Sequence, residues 1–235
     1  MKQKLREVLT VNTVLAAVLV LLAVAAFAGP GAVSVFSGDE SAIYNIETEE
    51  KVVAFMVNVY WGTEYVQPYL DLFKQEDIKV TFFLGGIWAK DNAQLIKAMQ
   101  EDGHEIGNHG YNHKLPTHIS SDETRREIAT TDTIITEITG QKPKLYAPPA
   151  GDFNKDTIKA ARSLGYKTIM WSIDTIDWRD KDTQKITNRV MKNLKPGAFV
   201  LMHPTKNTLE ALKSMISQIK EQGYQFKTVS EMLEI

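Results

Sequence analysis

Two histidines four residues apart, in the stretch HGYNH, carry the first hint of chemistry in this chain. On one helical turn His109 and His113 would project the same way and could grip a single divalent cation through their ring nitrogens. His104 and His118 flank them, and a group of histidines by itself equally suits an ordinary surface. Farther along, Asp177 and Trp178 set a carboxylate beside an aromatic wall, and His203 closes the apolar run VLMH. A carboxylate bonded to that imidazole would fix its tautomer and raise its pKa, which a general acid needs near neutrality; the plainer alternative is a rim ion pair. At the end of VAFMVNV, where acidic side chains would serve such a centre, stand Asn58 and Tyr60.

The elements that must position these groups alternate along the chain. KVVAFMVNV precedes an amphipathic stretch from Thr63 to Gln75, and KVTFFLG precedes Asn92 to Gln100. After HEIGNH comes a helical pattern from Ser121, a candidate N-cap, to Thr139, closed by Gly140. KLYAP, Asn154 to Ser163, YKTIMWS, Thr183 to Asn193, GAFVLMH, Asn207 to Gln222 and YQFKTVS continue the alternation. Strands separated by helices of about ten or more residues imply a parallel α/β sheet, and about seven such units are enough to curl into a barrel. An open doubly wound sheet is the alternative, and in both architectures functional groups gather at the C-terminal ends of strands. Asn58 and Tyr60, His109 and His113, Pro148 to Gly151, Asp174 with Asp177 and Trp178, and His203 all follow predicted strands. Trp61, Trp88 and Trp171 read as core or rim packing.

The 235 residues suffice for one sizeable core. A net charge of −2, with 27 basic and 29 acidic residues spread along the chain, leaves no electrostatic footprint for nucleic acid. No cysteine is present, which removes disulfides, thiol nucleophiles and thiolate metal sites. Residues 1–7 are basic, with Lys2, Lys4 and Arg6, and Val8 to Ala28 carries no charge. At ~1.5 Å per residue such a helix covers ~30 Å, the thickness of a bilayer core. The basic end places the remainder outside the cytoplasm, tethered to the membrane by the uncleaved helix. A cut after Ala26-Phe27-Ala28, leaving a secreted protein, is the alternative. Residues 29–50, rich in small and acidic side chains, read as a linker, and the folded domain as residues 51–235.

In order along that domain, GHEIGNHGYNH, YAPPAGDFN, SIDTIDW and LMH make it resemble the polysaccharide deacetylase family, also called the NodB-homology or carbohydrate esterase 4 domain. The wording of NVYWGTEY and VLMHPT is similar to its sporulation-associated, membrane-anchored branch. The resemblance implies a distorted (β/α) barrel of about seven strands and a cation such as zinc held by Asp, His and His. It further implies a first-strand Asp as base and a closing histidine as acid, acting on N-acetylated glycans such as peptidoglycan or chitin-like oligomers. Carried over, His109 and His113 match the metal histidines, His203 the acid, and Asp177 with Trp178 the group that tunes it; Asp174 is less closely matched. Trp178, Pro149, Ala150 and Leu201 match the substrate groove.

The departures lie in the other half of the site. The family's first motif, T-F-D-D-G, supplies base and third metal ligand, yet Asn58 and Tyr60 stand here. An amide is a weak neutral ligand, and a phenol binds metal well only once deprotonated. The arginine of R-x-P-Y-G, which pairs with the base, is Ala147, and the aromatic residue is Ala150. Loss of both partners of a buried ion pair is a consistent double change. Zinc or another divalent metal is therefore expected to bind weakly, and hydrolysis to be weakened or lost. Two other readings stay open: an active N-deacetylase borrowing Glu64 or Asp152, and a non-catalytic module of the cell envelope.

Overall fold

The computed structural model describes residues 41–235. Strand β1 (Val52–Val59) is buried along its whole length, and its two faces serve different neighbours. Val53, Phe55, Val57 and Val59 join the larger apolar core, whereas Val52, Ala54 and Met56 meet Phe83, Leu145, Ala147, Ile169 and Phe199 in a second cluster. This is the period-two alternation of a strand covered on both sides. Asn58 is next on the second face, so the alternation delivers it to the inside of the curved sheet, above Met56.

From β1 the chain runs through α1 (Thr63–Gln75), β2 (Thr81–Leu84), α2 (Gly86–Asp91), α3 (Ala93–Glu101), β3 (Glu105–Asn108) and α4 (Ser121–Thr139). It continues through β4 (Leu145–Tyr146), α5 (Lys155–Ser163), β5 (Lys167–Thr168), β6 (Ile173–Asp174), α6 (Thr183–Asn193), β7 (Ala198–Met202), α7 (Lys206–Glu221), β8 (Gln225–Phe226) and α8 (Val229–Leu233). Seven strands pair in the order β5-β4-β3-β2-β1-β7-β6, every pair is parallel, and β8 adds to β1 at Val52 and Val53.

About seven parallel strands were expected, and seven form the path; full closure is what the structure corrects. β5 and β6 end the path, each two residues long, and do not pair with each other, so the sheet is a distorted half-barrel. The chain before β1 crosses part of the gap instead. Ile43 bridges to Ile169, and the Ile46 N–H donates to Gly197 O at 3.0 Å. Backbone pairing thus begins inside the stretch expected to be linker. The basic end at 1–7, the apolar run at 8–28 and residues 29–40 of the linker lie outside the described residues; within them no helix is long and apolar enough to cross a membrane.

Local signals set the helix ends. Ser120, one residue before the expected cap, accepts from Glu123 N at 3.2 Å, and Gly140 closes α4 with φ 71°. Asn154 and Thr157 form a reciprocal capping box on α5, and Thr205 caps α7 by accepting from Thr208 N at 3.0 Å. Helices α2 and α8 and strand β6 are additions to the expected elements.

Candidate functional site

His203 follows β7 and meets Asp177 across the rim. Asp177 Oδ1 accepts from His203 Nδ1 at 2.8 Å, and Oδ2 accepts from His203 N at 2.7 Å and from Thr208 Oγ1 at 2.7 Å. The carboxylate is buried and has three donors, so its charge is well satisfied. Because it can only accept, His203 Nδ1 is the donor, and Nε2 is left as the nitrogen able to exchange a proton. The Tyr69 hydroxyl donates to His203 O at 2.8 Å and fixes the loop from below; burial, then the Asp177 charge, raise the Tyr69 pKa. This half of the site is assembled as a tautomer-fixed acid would require. Thr208 and Tyr69 were not anticipated from sequence, although Thr208 follows the helix-cap pattern of Thr205.

The other half is built on the turn after β3. His109 and His113 do come together, their ring centroids 5.1 Å apart at 65°, but on a turn rather than the expected helical turn. Gly110 and His113 both take left-handed backbone, with φ 74° and 54°. Three partners pin this turn. Asn108 Oδ1 accepts from Gly110 N at 2.9 Å, and Glu127 on α4 accepts from Tyr111 N at 2.9 Å and Asn112 N at 2.6 Å. The first amides of α2, on Gly86 and Ile87, donate to Gly110 O and Tyr111 O at 2.8 and 3.1 Å. Glu127 is a positioning residue that motif reading missed, since its helical surroundings look like any charged face.

His109 is fully buried. Its Nδ1 lies 2.8 Å from Ala147 O, and since a carbonyl only accepts, Nδ1 is the donor. Nε2 therefore presents a lone pair, sealed from solvent and without a partner. Burial first, then the neighbouring His113, push this imidazole's pKa down to about 3, with His203 adding to the effect. Burial and His203 also lower that of His113. Both rings are set up as neutral nitrogen donors. A third, anionic donor is missing: among the described residues no three His, Cys, Asp or Glu side chains gather closely enough to hold a metal. Asn58 lies buried with its Oδ1 unpartnered, and Tyr60 stacks on His113 at 3.6 Å and 24°. The donor set does not fit a tightly held divalent cation.

The remaining candidates fall into place around these two halves. Asp152 is occupied by Thr117, accepting from its N–H and hydroxyl at 2.8 Å each, and Glu64 stands exposed in the first turn of α1. Asp174 accepts from Ile176 N at 2.7 Å and supports the turn that carries Asp177; burial raises its pKa. Ala147 packs in the inner cluster and serves the site through its carbonyl. Pro149 backs the histidine turn, 3.4 Å from where a Gly110 Cβ would lie, while Ala150 is exposed with φ 53°. Leu201 is buried two residues below His203 and forms floor rather than open wall. Trp178 is 59% exposed at the rim, with Arg179 5.8 Å from its ring centroid. Trp61 stacks near His203 at 5.9 Å, Trp88 is buried and donates to Thr63 Oγ1 at 2.8 Å, and Trp171 packs on Gly151. His104 is buried away from the two site histidines, against Phe73 and Phe82, and His118 is exposed as the last residue of a short 3-10 turn.

The chain is similar to known proteins over this same region. The YlxY protein of Bacillus subtilis is 40% identical over 82% of this chain, which spans 60% of that relative's length. The peptidoglycan-N-acetylmuramic acid deacetylase PdaA of Bacillus subtilis is 33% identical, with 82% of this chain and 75% of the relative covered. The solved structure of BA3943 from Bacillus anthracis, described as a CE4 family pseudoenzyme, matches with TM-score 0.80 and 41% identity over 83% of this chain and 69% of that one. A mutant of BA3943 is described as having restored enzymatic activity. The polysaccharide deacetylase family model matches residues 45–169, and with the ordered motifs and the half-barrel that carries them, this chain belongs to the polysaccharide deacetylase family.

Proposed function

We propose that this chain is an envelope protein that binds N-acetylated glycan, of the peptidoglycan or chitin-like class, in a deacetylase groove that has lost ordinary metal-dependent hydrolysis. The carrying observation is the asymmetry of the rim. The acid half, Asp177 with His203 and Thr208, is complete, while the half that should activate water has two imidazoles and no carboxylate within their shell. Removing a general base alone costs about 10² to 10⁴ in rate. The groove keeps an exposed indole, Trp178, suited to the apolar face of a sugar ring. The pseudoenzyme description of BA3943 supports the same reading, and the restored activity of its mutant supports a loss confined to few residues. The uncharged run Val8 to Ala28 behind a basic end supports attachment to the outer side of the cell membrane.

Acetate release from N-acetylglucosamine oligomers, with zinc or cobalt added, tests the catalytic part; brisk turnover by the unaltered protein would overturn it. Oligomer binding followed by tryptophan fluorescence tests the rest. Binding that falls about tenfold or more in Trp178→Ala is expected, in line with the ~1–3 kcal/mol an aromatic stacking contact contributes. No binding by the unaltered protein would leave a structural envelope module instead.

A further inference from the structure

The missing acid is one of two obstacles at the histidine pair. Tyr60 brings its ring face to face with His113, at a centroid distance of 3.6 Å and 24°, and borders His109 at 5.8 Å and 41°. At 3.6 Å two aromatic rings are in direct contact, with no room for anything between them. His109 Nε2, the lone pair aimed away from Ala147, is closed to solvent and has no hydrogen-bond partner. A buried imidazole nitrogen without a partner is costly and calls for a reason. Tyr60 is 37% exposed while His109 beside it is fully buried, so the ring lies at the boundary between that imidazole and solvent. The root of that ring is fixed as well: a Cβ on Gly85 would come within 2.9 Å of Tyr60 Cβ, so the backbones of the β1 and β2 ends pack tightly just where Tyr60 leaves the strand.

We infer that Tyr60 is a plug: its phenol ring fills the approach to His109 and His113, and excludes a cation by occupying space, independently of the lost negative charge. This rests on the reading of the two histidines as the remnant of a metal pair. It differs from a tyrosine acting as a weak metal ligand, which would need its hydroxyl. The plug needs only the ring. It also separates the two altered positions. Asn58 lies beneath on the inner face of β1, and an acid placed there still faces a closed approach. Removal of the ring opens two neutral nitrogen donors, and an acid at position 60 opens the site and adds charge at once.

The test compares Tyr60→Phe, Tyr60→Ala, Tyr60→Asp and Asn58→Asp with the unaltered protein by two measurements. The first is cobalt(II) and zinc(II) affinity by calorimetry. The second is the rate at which diethyl pyrocarbonate modifies His109, mapped by mass spectrometry on protein whose circular dichroism is unchanged. Tyr60→Ala should gain about tenfold or more in affinity and Tyr60→Asp more again, while Tyr60→Phe and Asn58→Asp stay near the starting value. His109 modification should accelerate in Tyr60→Ala and Tyr60→Asp and remain slow in Tyr60→Phe. Full metal affinity in Asn58→Asp with Tyr60 in place would overturn the plug. Unchanged His109 reactivity in Tyr60→Ala would overturn it too. Both failures are distinct from failure of the proposed function, which is read as turnover by the unaltered protein.

Discussion

Asp177 offers the sharpest test of how the rim is held, through two replacements of unequal severity. In Asp177→Ala, three donors lose their acceptor together: His203 N, His203 Nδ1 and Thr208 Oγ1. The site is buried, so water does not simply take the place of the carboxylate. At about 1–3 kcal/mol for each stranded donor, the loss should reach about 3–9 kcal/mol. For a chain of this size that corresponds to roughly 2–4 °C in melting temperature per kcal/mol. Asp177→Asn is milder. Its amide oxygen can keep the two bonds made by Oδ2, and its NH₂ then faces His203 Nδ1, which must surrender its proton to Nε2 to become an acceptor. All three bonds keep a partner and lose only the charge assistance of the carboxylate, at about 1 kcal/mol each. Urea unfolding gives the energies, and nitrogen chemical shifts of the His203 ring give the tautomer. An Asp177→Ala protein within about 1 kcal/mol of the original, or an Asn variant whose ring keeps the Nδ1 proton, would refute the reasoning.

Glu127→Ala should loosen the histidine turn by removing the acceptor of Tyr111 N and Asn112 N, costing about 1–3 kcal/mol, with hydrogen exchange rising at those two amides and far less in Glu127→Gln. Stability should fall as the solution is acidified. His104 and His109 are held near pKa 4 and 3, chiefly by burial, so the unfolded chain binds more protons below about pH 6.5 and the loss accumulates from there down through the folded values. Urea midpoints between pH 7 and 4.5 check this slope, which should flatten in His104→Gln. Gly107→Ala should destabilise the inner cluster, because its Cβ would meet Phe83 ring atoms at 2.6 and 2.7 Å; about 1–3 kcal/mol is expected by thermal melting.

Much of the architecture was legible because its signals are local. The helices Thr63–Gln75, Ser121–Thr139 and Thr183–Asn193 have the ends that periodicity and capping chemistry place there, apart from the shift of the α4 cap to Ser120. Ile173–Asp174 was hidden because two residues show no period, and they become a strand only through pairing with Val200 and Leu201. The open seam was hidden for the same reason, since closure depends on the partners of very short edges. At the site, motif order brought out His109, His113, Asp177 and His203, whose types announce their chemistry. Glu127, Tyr69 and Thr208 act through distant backbone and side-chain partners, and spacing carries no trace of that. The ring contact of Tyr60 with His113 likewise joins two loops that only the folded sheet brings together.

β1 is the earliest strand of the sheet and also its most connected. It pairs with β2 soon after, but its other edge waits for β7 and the start of the β2 edge waits for β8, so that Val53 meets Ala198 on one side and Phe226 on the other. During synthesis a long, almost wholly apolar strand therefore remains half-matched until β7 and β8 emerge. Such distant pairing slows folding and leaves a sticky edge exposed meanwhile. Shortened chains ending before Ala198 should consequently clump, and helper proteins that shield nascent strands should matter more to this chain than to one whose first strand finds its neighbours at once.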